Sequence, residues 1–415
     1  MTSERVAATS RLPDKGSLIA ISMAVMNVAT YLFTYFAARR MGTEVYGAFA
    51  ALMNVLIVVS VLSLALQATA ARRISADPEH VAQIEREILR VTWRAAVVLG
   101  LVLLALSPLL KVALRLDSLA TAALVSLVVV PLTLMGGQAG ILQGERRWAP
   151  LGLMYVAAGV PRLVLGTALI LWRPTELWAM VGVLLGALVP VAVGWWSLRG
   201  HRDQSGHSDL HGGGPVLRES LVNSQALLAF FALSNVDIVI ARNVLDGHDA
   251  GLYAGGLILT KAVIFLPQFV VVVAFPSMST SHERRRALNL SLVLVAALGA
   301  AVTLGAWVLS SLALVFAGGA KYGDIEGRLW LFAILGTVIA LLQLVVYSVI
   351  ARQGQRSILL VWAGLAALVV GALFMHTITS LLLWVAAVDA VLLLALLTTS
   401  YRHVGQDEPL PATAP

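Results

Sequence analysis

Ser118 to Leu142 reads SLATAALVSLVVVPLTLMGGQAGIL, twenty-five residues without a single charge. A helix rises about 1.5 Å per residue, so about 20 apolar residues cross the hydrocarbon core of a bilayer. Working outward, equally apolar runs lie at 17–38, 45–71 and 91–113 before this stretch, and at 149–172 and 176–198 after it. A second set follows at 218–243, 250–276, 287–316, 326–351, 357–376 and 379–400. The runs lack the apolar-out, polar-in alternation of a membrane barrel, so they read as helices. The expected fold is an all-α polytopic membrane protein of about twelve transmembrane helices.

The composition agrees. Hydrophobic residues make up 59% of the 415 residues, charged residues only 12%, and the mean hydropathy is +0.88. A soluble domain carries about 25% charged residues, enough to cover its surface in water. This chain has half of that, so lipid is its solvent. With no cysteine, disulfides, thiol nucleophiles and thiolate metal sites are excluded. The polar start from Met1 to Lys15 leads into a full-length span with no cleavage site, so the first span reads as an uncleaved anchor.

The net charge of +7 suggests nucleic acid until its placement is read. With the N-terminus inside, cytoplasmic tails and loops hold 19 Lys and Arg against 8 in the outer loops, and Arg162 and Lys261 fall within spans. That is the positive-inside asymmetry, and it places both termini in the cytoplasm. No nucleic-acid partner is expected. Arginine outnumbers lysine by 25 to 4 and Ala, Leu and Val dominate, which reads as a high-GC bacterium; the expected location is the bacterial inner membrane.

One stretch, Arg199 to Pro215 (RGHRDQSGHSDLHGGGP), reads as a linker. It divides the chain into a six-helix lobe at 1–198, a cytoplasmic linker at 199–217, a second six-helix lobe at 218–401 and a disordered tail at 402–415. His201, His207 and His211 lie among Gly, Ser and Asp, a solvated linker rather than a metal site. The lobes carry a weak internal repeat: Ala38-Arg39 before Val45-Tyr46-Gly47 matches Ala241-Arg242 before Gly251-Leu252-Tyr253. Six spans is an even number, so both lobes enter the membrane in the same sense. Their symmetry axis is then a pseudo-twofold along the membrane normal, with the substrate site expected between them near the midplane. Between spans two and three, 78–94 (PEHVAQIEREILRVTWR) has a helical apolar period and reads as an interfacial helix, with docking of a cytoplasmic partner as the other reading.

Asn27 and Tyr31 in the first span, then Ala38-Arg39, Met41-Gly42 and Tyr46-Gly47, form one motif set. Asn235-Val236-Asp237-Ile238, Ala250-Gly251-Leu252-Tyr253-Ala254, Phe265-Leu266-Pro267 and Phe275-Pro276-Ser277-Met278-Ser279 form another. In this order they resemble the polysaccharide-transport branch of the MOP flippase superfamily. The resemblance implies an oligosaccharide flippase that carries a polyprenyl-pyrophosphate-linked glycan from inner to outer leaflet by alternating access, through a polar, usually cationic cavity. The partners it implies are that lipid-linked oligosaccharide and membrane lipids, with polysaccharide glycosyltransferases or a polymerase as candidate associates. Many relatives have fourteen spans; here the last pair is missing, and with it any lateral groove such helices would form.

Ionisable residues in hydrocarbon cost about 2.5–3.5 kcal/mol each on insertion scales. Four stand out: Arg162, Asp237, Lys261 and Asp389. Arg162 follows Pro161 in span five, and pyrophosphate binding or a pair with Asp389 are its two readings. Lys261 matches Asn54 by the repeat offset; it reads as a cavity-lining phosphate contact, or as a partner of Asp237. Asp237 and Asp389 are read as coupling or ion-pair residues. Arg39 and Arg242, at equivalent span ends, are explained by snorkelling, and the resemblance adds head-group attraction. Asn27, Gln138 and Asn235 are candidate sugar contacts, against ordinary interhelical hydrogen bonds. Pro267 is the candidate hinge.

Other classes have less support. A MATE-like drug or organic-cation antiporter relies on acidic cavity residues, whereas two of the midplane candidates are cations. A scaffold of an envelope-assembly complex would use the fold without transport. An enzyme would need carboxylates or bases on long outer loops, and every outer loop is short. No GxxxxGK[ST] loop occurs, so no nucleotide or other cofactor is expected.

Overall fold

The computed structural model describes residues 15–200, 213–264, 281–350 and 355–404. Their regular structure is entirely helical. The first half comprises α1 (Lys15–Arg40), α2 (Thr43–Val59), α3 (Val61–Ala76), α4 (Val81–Ala105), α5 (Ser107–Ala113), α6 (Leu119–Gly144), α7 (Trp148–Trp172) and α8 (Glu176–Leu198). The second comprises α9 (Gly213–Leu233), α10 (Asp237–Val244), α11 (Gly247–Ile264), α12 (Ser281–Val308), α13 (Ser310–Phe316), a 3-10 helix (Ala320–Arg328), α14 (Leu329–Ile350), α15 (Gln355–Ala372) and α16 (Ile378–Val404). Among the described residues ten helices are long and apolar enough to cross a membrane, and Ile358–Ala372 is a shorter apolar one. Each of the twelve sequence spans contains helix, α11 being the described part of the eighth.

Several spans are two helices in line, and local chemistry explains where they divide. Span two breaks at Ser60, whose hydroxyl donates to the Ile57 carbonyl at 2.7 Å. Span three breaks at Leu106, just before Ser107 and Pro108. Span seven, continuous in the sequence reading, breaks at 234–236. There Ser234 and Asn235 turn their side chains back onto the carbonyls of Phe230 and Phe231, at 2.9 and 2.8 Å. Short polar side chains compete in this way with backbone hydrogen bonds. Asp237 restarts the helix, its carboxylate accepting from the Ile238 N–H at 2.9 Å.

The expected interfacial helix at 78–94 is corrected. Val81 to Arg94 is the first part of α4, which continues unbroken to Ala105. Its apolar residues Ile84, Ile88 and Val91 are buried against Ile74 and Leu142 rather than laid on a membrane surface. The apolar period is therefore a packing face of a long span. Helix α9 begins at Gly213, inside the stretch read as linker; the three linker histidines and Pro267 lie outside the described residues.

The halves pack internally, α1 on α7, α7 on α8, α6 on α3, α4 and α8 in one, and α14 on α11, α12 and α16 in the other. They meet along a seam in which α2 faces α11 and α3 faces α9. Membrane helices gain little from the hydrophobic effect between themselves, so close approach of small residues carries the packing. A Cβ on Gly47 would stand 3.0 Å from the Gly251 Cα across the seam. A Cβ on Gly182 would stand 2.5 Å from the Gly166 Cα between α8 and α7.

Candidate functional site

The seam encloses a cavity of about 140 Å³. Thr30, Tyr31 and Thr34 of α1 and Tyr46, Phe49 and Asn54 of α2 line it from one lobe, and Ile238, Leu257 and Lys261 from the other. Its walls are apolar and aromatic with few polar groups, the usual character of a ligand site. Lys261 supplies the cation among these lining residues.

The Lys261 ammonium donates to the Asn54 Oδ1 at 2.8 Å and to the Asn235 Oδ1. Asn54 and Lys261 are the repeat-equivalent pair, and the fold brings them face to face across the seam. Both amides are oriented by their own helices. The Asn54 amide nitrogen donates to the Ala50 carbonyl at 2.7 Å, and that of Asn235 to Phe231 at 2.8 Å. With the amide hydrogens committed to backbone, the oxygens are left to accept from the lysine. A charge in low dielectric is thus held by neutral dipoles and keeps its electrostatic reach toward an anion.

Two buried carboxylates, Asp237 and Asp389, lie within electrostatic range of each other. Asp237 is 3% exposed and accepts from the Tyr253 hydroxyl at 3.0 Å. It lies within electrostatic range of Lys261 without forming an ion pair with it. Asp389 of α16 is fully buried, and neither of its carboxylate oxygens has a hydrogen-bond partner. It is electrostatically coupled to Asp237 and Tyr253. The break in span seven builds this arrangement, because it sets Asn235 and Asp237 two residues apart at facing helix ends. Discontinuous helices serve transporters in the same way.

Arg162 and Lys261 are not brought together. The Arg162 guanidinium donates to the Ala158 carbonyl at 3.1 Å, one turn back on its own helix, and its backbone packs on Gly186 of α8. It does not line the seam cavity and forms no pair with Asp389. Gln138 likewise belongs within its lobe, donating to the Val191 carbonyl at 3.3 Å and packing on Gly194. Asn27 of α1 is half-buried and hydrogen-bonded or otherwise engaged, away from the lining of the cavity.

The two span-end arginines differ. Arg39 is exposed, donating to the Tyr35 hydroxyl at 2.7 Å, as a snorkelling side chain does. Arg242 does not snorkel: it is 4% exposed and donates to the carbonyls of Arg115, Leu114 and Glu44 at 2.7, 2.9 and 3.2 Å. Arg115 returns the contact, donating to Asn243 and Leu245 carbonyls at 2.9 and 3.2 Å. These bonds staple the lobes at the end carrying the 41–42 and 245–246 turns. At the opposite end Arg72 and Arg73 of α3 both pair with Glu219 of α9, the latter at 2.9 Å, and Ser220 bonds Thr69 at 3.1 Å. Neither bridge was foreseen from the sequence, although charged residues at matching depths on Arg72 and Glu219 were the available signal.

A family model described as "Polysaccharide biosynthesis protein" matches residues 14–282. No curated protein sequence matches the chain closely enough to count as a relative. Among solved structures, an inward-facing multidrug-resistance MATE family transporter of the MOP superfamily superposes with a TM-score of 0.74 at 14% identity, covering 94% of this chain and 100% of that one. The outward-facing form of a multidrug-resistance MATE family transporter gives 0.64 at 15% identity, with 94% and 96% covered. A MOP superfamily transporter from Pyrococcus furiosus, described as having a binding pocket of reversed polarity, gives 0.66 at 15%, with 95% and 96% covered. The matched residues cover more than half of the chain and lead to one assignment: the chain belongs to the polysaccharide biosynthesis protein family.

Proposed function

We propose that this transporter is a flippase for a polyprenyl-pyrophosphate-linked oligosaccharide in a bacterial inner membrane, with both termini cytoplasmic and no catalytic chemistry of its own. The observation that carries the reading is Lys261. It places one cation on the wall of the cavity between the lobes, held by two neutral amide oxygens that an anionic phosphate can displace. No carboxylate bonds Lys261 directly; Asp237 acts on it only at a distance, through space. Membership of a polysaccharide biosynthesis family supports a glycan-bearing cargo. The present cavity is too small for a glycan, so cargo enters only when the seam opens. Asp237 and Asp389 are proposed as the groups that exchange a proton or cation during that movement. The 14% and 15% identities to multidrug transporters argue for the fold and leave cargo to the site.

A second reading, MATE-like antiport of an organic cation, is favoured by one observation, the buried and unpartnered Asp389 carboxylate. The test separates the two. The chain is reconstituted in liposomes with a fluorescent polyprenyl-pyrophosphate oligosaccharide on one leaflet, and wild type is compared with Lys261→Ala and Arg162→Ala. Flipping by wild type and by Arg162→Ala, with loss in Lys261→Ala, is the expected pattern. Absence of flipping by well-folded wild type, with uptake of an organic cation that depends on Asp389, would replace the proposal by antiport.

A further inference from the structure

On the flank of the seam, α3, α4 and α9 enclose a groove of about 800 Å³, separate from the central cavity. Along α4 the residues facing it fall on one stripe: Gln83, Glu87, Arg90, Arg94, Val98 and Val102, three or four apart. Leu62 of α3 and Leu217 and Leu221 of α9 form the opposite wall. The groove therefore has a charged end at 83–94 and an apolar end at 95–102. We infer that it binds an anionic phospholipid of the inner leaflet, with the phosphodiester on Arg94 and Arg90 and an acyl chain along the apolar wall.

Depth, charge and length each support that occupant. From Arg94 to Ala113, where the span ends, the helical rise is about 29 Å, close to the ~30 Å hydrocarbon thickness. Arg94 therefore stands at the level of the inner-leaflet phosphates. Arg90 is paired with Glu87, and Arg94 is exposed and has no ion pair among the described residues, so the groove's charged end carries one net positive charge. A phosphodiester monoanion balances it; a pyrophosphate, with two or more charges, does not. The apolar wall beyond Arg94 runs about 12 Å, which suits an acyl chain confined to one leaflet. The chain's own 201–212 segment has Leu210 as its single apolar residue and cannot line such a wall.

The full-length protein, purified and placed in bilayer discs of equal phosphatidylglycerol and phosphatidylethanolamine, is released for native mass spectrometry and its retained lipids are counted. Wild type is expected to retain phosphatidylglycerol about tenfold over phosphatidylethanolamine: both offer a phosphodiester to Arg94, but the ammonium of phosphatidylethanolamine cancels its charge and leaves the positive charge of the groove unbalanced, a difference of about 1.4 kcal/mol. Arg94→Gln should abolish the preference, Arg94→Lys should keep most of it, and Val98→Trp should reduce retention of both lipids. Matching melting temperatures and elution volumes check that the variants fold. Equal retention of the two lipids by wild type, or a preference unchanged in folded Arg94→Gln, would overturn the assignment. Stronger retention of polyprenyl pyrophosphate than of phosphatidylglycerol would also overturn it, as would a severalfold rise when 201–212 is replaced by Gly-Ser repeats.

Discussion

Replacing Arg242 by alanine should spring the end of the seam that this residue staples. Three carbonyls, on Leu114, Arg115 and Glu44, accept from this one guanidinium, and all belong to the other lobe. A hydrogen bond from a charged donor is worth about 1.5–3 kcal/mol net. Water reaches the freed carbonyls once the lobes part, so the lower figure applies, and the longest bond, at 3.2 Å, adds less than the others. The loss is then about 3–4.5 kcal/mol, which at about 1.4 kcal/mol per decade moves the closed-to-open ratio by about 2–3 decades. The chain has no cysteine, so Gly42→Cys with His248→Cys gives a spin-label pair on opposite sides of the seam without background. Double electron–electron resonance should show a single short distance in the pair alone and a longer population when Arg242→Ala is added. Arg242→Lys, with one point charge in place of a planar fork, should fall between them. A distance distribution untouched by Arg242→Ala would refute the view that this arginine holds the lobes together.

Other substitutions test the remaining joints. Gly251→Leu, which forces a side chain against the Thr43 backbone, should lengthen the same label distance by another route. Glu219→Gln removes the carboxylate shared by Arg72 and Arg73 and should open the opposite end of the seam, read as faster labelling of Ser220→Cys by a water-soluble maleimide. Asp389→Asn replaces a fully buried carboxylate that lacks hydrogen-bond partners; it should raise thermal stability by about 1–2 kcal/mol, seen as a higher melting temperature in detergent. Lys261→Gln should leave the fold intact while lowering flipping at least tenfold in the liposome assay, since the cation is lost and the two amides still have a polar partner.

What could be read in advance followed from solvent and period. Lipid forces backbone groups to pair within each segment, so apolar length alone locates the spans. The repeat offset aligned Asn54 with Lys261, and a pseudo-twofold then makes contact between them natural. The rotation of a span about its own axis was not legible where every face is apolar. Arg162 drew notice for its position after Pro161, yet its side chain stays against its own helix and α8 because nothing in GVPRLVLG marks which face meets the seam. Arg39 and Arg242 looked alike because the residues that distinguish them, Leu114 and Arg115, are distant in the chain. The break at 234–236 needed the tertiary setting too, because Ser and Asn often sit in membrane helices without interrupting them.

The meeting of Asn54 and Lys261 has a consequence for how a duplicated fold handles charge on its own axis. At a twofold, a residue faces its counterpart from the other repeat, so a strictly symmetric pair offers only extremes. Two lysines would stand ammonium to ammonium and repel, whereas two asparagines would leave the centre neutral. Because the repeats differ at this position, the protein places one positive charge there and supplies one of its two acceptors from the opposite lobe. The lysine is thereby tethered to both lobes at once, and in the opening proposed above their separation would uncouple it from Asn54 as room for an anion appears.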